Sequence, residues 1–200
     1  MSGVVAWVAS SGVVQGVIIG AALAFLTTIL MLDSVAKATT TTVNGWSSIR
    51  KAGQPGNGLL ARAALQKALP LVNVFEEAAY WTTSVDSTGK KLSGEHAYRL
   101  HFPPGHLPPN DAFWSLTATD TVGYMVSSPT GRSSVDDHSG LLTNPDGSVD
   151  VLLQPQTPGG QAHNWLPTPT GRFNLILRAY LPGAAIVNGG YQVPAVVRVS

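Results

Sequence analysis

Residues 98–120 read YRLHFPPGHLPPNDAFWSLTATD, and the fold class turns on them. Tyr98, Leu100 and Phe102 alternate with Arg99 and His101, the period-2 pattern of a strand with one buried face. Pro103-Pro104-Gly105 and Pro108-Pro109 then break the run. Ala112 to Thr119 returns as a second strand and carries Phe113, Trp114 and Leu116 toward the centre of a sheet. Working outward, Trp81 to Val85 reads as a strand and Asp86-Ser87-Thr88-Gly89 as a turn, with Glu95 to Phe102 next. Asp120 to Gly123 leads to a short strand at Tyr124 to Val126. Leu141-Leu142 and Val149 to Gln154 flank Asn144-Pro145-Asp146-Gly147, where Pro presets φ and Gly supplies a positive φ for a hairpin turn. Phe173 to Tyr180 is apolar on both alternating sets, as a central strand would be, and Val193 to Val199 closes the chain. About seven or eight short strands at this spacing imply a mainly β domain over residues 81–200. The expected form is a jelly-roll-like, two-sheet antiparallel sandwich.

The other end of the chain obeys different rules. Met1 to Leu32 contains no charged side chain, and Val13 to Leu32 alone is 20 residues. As a helix that run is about 30 Å long, the thickness of a bilayer core. Lipid offers the backbone no hydrogen-bond partners, so a single span must be helical. A transmembrane helix is expected within residues 1–34, with Trp7 at one interface and Asp33 and Lys37 beyond the other. Ala36-Lys37-Ala38 would suit a signal-peptide cleavage site. However, no Lys or Arg precedes the apolar run, and the run exceeds a usual signal core, so a retained anchor is expected. Gly12, Gly16, Gly20 and Ala24 recur every four residues. They form a ridge of small side chains along which a partner helix could approach closely.

Between these regions, residues 35–57 read as a polar linker with a short helix around Val43 to Lys51. Asn57 can cap a helix from Gly58 to Leu69 with Leu59, Leu60, Ala63, Ala64 and Leu69 on one face. Pro70 interrupts it, and Val72 to Tyr80 resumes as helix with Glu76 and Glu77 on a solvated face. Residues 58–80 are therefore expected to be an amphipathic helical segment.

Composition narrows the function classes. Charged residues make up 12% of the 200-residue chain, against about 25% in ordinary soluble proteins. The 21 glycines and 14 prolines suit short strands joined by turns. A net charge of +1 gives no electrostatic reason to expect nucleic acid. Without cysteine there is no disulfide, thiolate metal site or cysteine nucleophile.

Several ordered blocks resemble one family. These are Leu100-His101-Phe102-Pro103, Pro108-Pro109, Ala112 to Thr117 with Asp120, Asn164-Trp165-Leu166-Pro167, Gly171, Phe173-Asn174-Leu175 and Leu177-Arg178-Ala179-Tyr180. They are similar to the bacterial "domain of unknown function 1214" family over about Ala79 to Val199. The resemblance implies an all-β, jelly-roll-like domain, here in a short, membrane-anchored form without the family's usual N-terminal partner domain. Thr119 stands where an aromatic is common, and Asp137-His138 where Asp-Arg is common. The family carries no established activity.

The candidates for chemistry are thin. His101 and His106 flank a Pro-Pro-Gly turn with Asp111 nearby, a conceivable two-His, one-carboxylate set. A strand histidine and a loop histidine explain them more simply, so no metal and no cofactor is expected. Asp136-Asp137-His138 beside Ser133-Ser134 supplies the residue types of a triad without a G-x-S-x-G elbow. Pro-Thr-Gly-Arg occurs at Pro129 to Arg132 and again at Pro169 to Arg172. Turn amides beside Arg132 and Arg172 offer an anion seat. Trp114, Trp165 and Asp120 could line a sugar pocket. Of these, Trp165 is the candidate for an exposed ligand contact, because Trp114 reads as core.

The expectation that follows is a non-catalytic accessory subunit of a larger membrane-protein complex. Its single helix docks on integral membrane proteins within the lipid bilayer through Gly12, Gly16, Gly20 and Ala24, and holds the sandwich at the membrane surface. The alternative is a membrane-tethered binding module for cell-envelope carbohydrate or lipid. The expected location is the bacterial cell membrane with the domain on the extracytoplasmic side, although Lys37, Arg50 and Lys51 after the helix favour the opposite orientation.

Overall fold

A computed structural model describes residues 11–50, 54, 56–68, 73–125, 131–159 and 163–199. The chain divides into two units, one formed by residues 1–39 with 55–72 and the other by residues 40–54 with 73–200.

In the first unit the charge-free run forms helix α1 (Gly12–Thr39), 28 residues long. It is long and apolar enough to cross a membrane. Its hydroxyls are satisfied locally: Thr28 donates to the Ala24 carbonyl at 2.7 Å and Ser34 to that of Leu30 at 2.8 Å. Such back-bonding lets polar side chains sit in an apolar helix without seeking water. A second helix, α2 (Leu59–Ala68), packs on α1 and buries Ala64 and Leu65. Lys67 on α2 pairs with Asp33 on α1 at 2.7 Å. Both partners are well exposed, so the pair stabilises by about 1 kcal/mol at most. Leu59, expected on the apolar face, is 84% exposed. Trp7, Leu69, Pro70 and Val72, which carried expectations above, lie outside the described residues.

The second unit is the β-sandwich. Its strands are β1 (Thr41–Val43), β2 (Trp46–Ser48), β3 (Ala78–Thr83), β4 (Tyr98–Phe102), β5 (Asn110–Thr119), β6 (Ser134–Asp136), β7 (Val149–Gln154), β8 (Trp165–Pro167), β9 (Asn174–Pro182) and β10 (Val196–Arg198). A four-residue helix α3 (Ala184–Val187) follows β9. One sheet has the order β1-β2-β3-β9-β5-β6, and the other β10-β4-β7-β8. All pairs are antiparallel except β7–β8, which is parallel, so the second sheet is mixed. As its two-sided apolar pattern implied, β9 is central and pairs with β3 and β5.

The opening stretch does the work its alternation promised. Tyr98, Leu100 and Phe102 are buried, while Arg99 and His101 face out. Phe102 meets Trp114 of β5 with ring centroids 5.8 Å apart, a contact that ties one sheet to the other. Leu116, Leu175, Leu177, Val151 and Leu153 belong to the same core. Burying one such side chain is worth about 1.5–3 kcal/mol. Between β4 and β5 the chain turns at Gly105, where φ is +68° and the His106 amide donates to the Pro103 carbonyl.

Five expectations need correction. Among the described residues 43–50 there is no helix: Asn44 and Gly45, with φ of 53° and 82°, close the β1–β2 hairpin. Asn-Gly at paired positive φ is the strongest short hairpin signal, and it places part of the presumed linker inside the sheet. The helix over residues 72–80 is absent among its described residues. Val74 accepts one turn's bonds from Glu77 and Ala78, after which β3 pairs residue for residue with β9, so tertiary pairing overrides local preference. Phe113 points outward and stacks on Tyr180 at 4.4 Å, because period 2 sends it to the face opposite Trp114. Asn144 to Gly147 does turn, with the Asn144 amide bonded to the Ser148 carbonyl. Leu141-Leu142 forms no strand there; β7 pairs with β4 instead, and the Asn164 side-chain amide takes both backbone groups of Leu142 at 2.7 Å. Finally, Met125 makes only an isolated bridge to Thr119, and Val126 lies outside the described residues.

Candidate functional sites

The structure separates the histidines that the sequence set side by side. His101 on β4 turns its Nδ1 to Asp150 Oδ1 of β7 at 2.7 Å. His106 stacks on Tyr191 at 5.0 Å, and its Nε2 donates to the Gln192 carbonyl at 3.0 Å. Asp111 is exposed at the start of β5. Among the described residues no three His, Asp or Glu side chains gather as metal ligands.

The presumed triad is a turn. Asp136 Oδ1 accepts from the Ser139 hydroxyl at 2.6 Å and from the His138 amide at 3.1 Å. His138 Nε2 stands 3.7 Å from Asp137 on the surface. Asp120 likewise closes its own loop, accepting the amides of Val122, Gly123 and Tyr124. The Tyr124 amide above all, with those of Gly123 and Val122, holds this carboxyl below its ordinary value.

Trp165 is only 3% exposed, which removes it as a surface ligand contact. Its indole N–H donates to the Gln154 carbonyl at 2.8 Å, and its own carbonyl accepts from Arg132 at 3.1 Å. The loop that displayed it in sequence becomes β8, paired with β7 and fully buried. Arg172 is exposed, and its backbone bridges to Ser93. The turn before it presses on Gly94, where a Cβ would stand 1.9 Å from the Pro169 carbonyl oxygen. This second Pro-Thr-Gly-Arg is therefore a packing element. Pro129 and Thr130 of the first lie outside the described residues. On α1, nothing lies within 4 Å of a Cβ placed at Gly12, Gly16 or Gly20, so that ridge is open.

Two constellations escaped the sequence reading. One is an aromatic cavity of about 80 Å³ walled by Trp46, Phe75, Trp81 and Tyr191. Arg50 lies 5.2 Å from the Phe75 ring centroid and donates to the carbonyls of Ile186 and Val187. Both carbonyls lie at the end of α3, where that of Ile186 also accepts the Gly189 amide, and Gly189 leaves room for the guanidinium. Burial pushes the Tyr191 phenol up, and its hydroxyl donates to the His106 carbonyl at 3.3 Å. The other is an open polar groove of about 520 Å³ on the outer face of β4 and β7, lined in part by the turn at Asn144 to Ser148. It is lined by Arg99, His101, Asn144, Asp146, Ser148 and Asp150. Alternation announced that Arg99 and His101 face out, but nothing local brings the 144–150 segment to them.

The family described as "Protein of unknown function (DUF1214)" matches residues 77–184. The chain belongs to the DUF1214 family. The matched span runs from just before β3 to the start of α3, which is most of the sandwich and both walls of the polar groove. No curated protein matches this DUF1214 chain. Among solved structures, the VPA0106 protein from Vibrio parahaemolyticus is similar, with a TM-score of 0.68 and 24% identity. The likeness covers 86% of this chain and 42% of that one, so it supports the fold. An uncharacterized protein from Burkholderia cenocepacia aligns with a TM-score of 0.42 and 15% identity over 88% of this chain and 49% of that one. The chain thus spans less than half the length of either solved relative.

Proposed function

We propose that this DUF1214 chain is a non-catalytic accessory subunit of a larger membrane-protein complex. In this reading α1 crosses the bacterial cell membrane once, and the sandwich stands on the extracytoplasmic side. The observation that carries the reading is α1 itself. Its apolar side chains, among them Val17, Leu23, Phe25 and Leu30, are exposed, and the Gly12, Gly16 and Gly20 ridge is open to close approach. Lipid gives apolar helices no hydrophobic reason to associate, so packing along small residues supplies it. Ala24 continues the ridge, and its carbonyl accepts from Thr28.

Replacing Gly16 and Gly20 together with Leu puts bulk on the ridge while keeping the helix apolar and its length the same. The wild type, purified in mild detergent, carries integral membrane partners, and the double variant loses them while staying in the membrane fraction. Unchanged co-purification contradicts docking by this face. Protease accessibility in intact cells against spheroplasts decides the side: cleavage of the sandwich in spheroplasts supports the extracytoplasmic placement, and protection contradicts it.

A further inference from the structure

We propose that the outer groove over β4 and β7 binds a run of sugar hydroxyls, recognised by Arg99, His101, Asn144 and Asp146. The groove is organised before any ligand arrives. Asp150 is the hub: Oδ1 accepts from His101 Nδ1 at 2.7 Å, and Oδ2 from Asn144 Nδ2 at 3.1 Å. The same Asn144 amide reaches Ser148 Oγ at 2.9 Å, and Ser148 Oγ donates to Asp146 Oδ1 at 2.7 Å. His101 and Asp150 are directly paired across the strands, so the sheet sets their spacing. Preorganised groups of this kind bind with little ordering cost.

What remains unspent in this network defines the ligand. A carboxylate only accepts, so His101 Nδ1 carries a proton toward Asp150, and the Nε2 edge of the ring is left for a ligand hydroxyl. The Arg99 guanidinium touches Asp150 only loosely, at 3.8 Å through Nε, and keeps its terminal N–H groups for a ligand. Asp146 spends Oδ1 on Ser148 and leaves Oδ2. The groove thus offers strong donors and strong acceptors within one lining. A simple anion would meet Asp146 and Asp150, and a simple cation would meet Arg99. A hydroxyl both donates and accepts, and a row of them uses both kinds of group at once. The Pro145 ring supplies apolar surface for a sugar's C–H face. The open shape admits an internal segment of a chain rather than an enclosed small molecule.

This inference stands apart from the docking of α1. The experiment uses the full chain in detergent micelles, probed on an array of bacterial surface glycans. Soluble hexasaccharides of the hits then go to calorimetry with the wild type, Arg99→Ala and His101→Ala. Both positions are partly exposed on the outer face of β4, so the variants should melt like the wild type. The expected result is saturable binding of a saccharide without added metal, weakened roughly tenfold or more by either substitution. It should be retained by the Gly16→Leu, Gly20→Leu variant. Three results overturn the proposal: no glycan on the array binds, binding is indifferent to both groove substitutions, or binding requires a divalent cation.

Discussion

Gly94→Ala tests whether the second Pro-Thr-Gly-Arg turn is held by packing. A Cβ at position 94 would lie 1.9 Å from the Pro169 carbonyl oxygen and 2.8 Å from Thr170 Cα. A carbon–oxygen contact normally needs about 3.3 Å, so backbone must move by roughly 1.4 Å. That backbone is stitched in place. The Gly94 amide donates to the Gly171 carbonyl at 2.9 Å, and the Phe173 amide to the Leu92 carbonyl at 3.3 Å. Losing both bonds costs about 2 kcal/mol, and forced overpacking adds about 1–3 kcal/mol. The expected loss of about 3–5 kcal/mol lowers the melting temperature of the sandwich by roughly 10 °C. Near-UV circular dichroism of full-length protein in micelles reads that melt. Gly159→Ala is the control, because nothing lies within 4 Å of its Cβ, and it should stay within about 1 kcal/mol of the wild type. A Gly94→Ala protein that melts with the control would refute the packed-turn reasoning.

Two further substitutions test other parts of the account. Burial pushes the Asp86 carboxyl up, but bonds from the Thr88 hydroxyl and the Thr88 and Lys90 amides outweigh it and hold the group below its ordinary 3.8. A carboxyl held low in the folded chain stabilises it above the unfolded value, and that contribution is lost as pH falls through the folded value. Asp86→Asn should therefore lower the urea midpoint at pH 7, and the difference from the wild type should shrink as pH falls below the ordinary carboxyl value of 3.8; a pH-independent difference refutes the assignment. Trp165→Phe removes the indole N–H bonded to the Gln154 carbonyl, which then keeps only the Thr168 amide as a donor. It should cost about 1 kcal/mol for the lost bond in denaturant titrations while leaving glycan binding intact, and a selective loss of binding would restore Trp165 as a contact.

The sandwich was legible because its signals are local. Alternation at Tyr98, Leu100 and Phe102 named an inner face that the structure buries, and the two-sided apolar run at Phe173 to Tyr180 named the central strand. Errors came where pairing overrode local preference, or where a local signal was passed over. Asn44-Gly45 was a hairpin signal set in a threonine-rich stretch that read as linker. Ala78 to Tyr80 looked helical until β9 supplied a paired partner for each of them. The polar groove was illegible for another reason. Arg99 and His101 meet Asp150 only through strand register, across 49 positions of sequence in the case of His101. Trp165 misled because a polar flank and a nearby proline suggest a loop, whereas parallel pairing with β7 buries it.

The claim on which the functional reading depends is that α1 remains attached and embedded. Alkaline carbonate extraction of membranes, followed by intact-mass measurement of the recovered chain, addresses it directly. The account predicts a carbonate-resistant protein that still carries α1. A carbonate-soluble protein trimmed after Ala38 would contradict it.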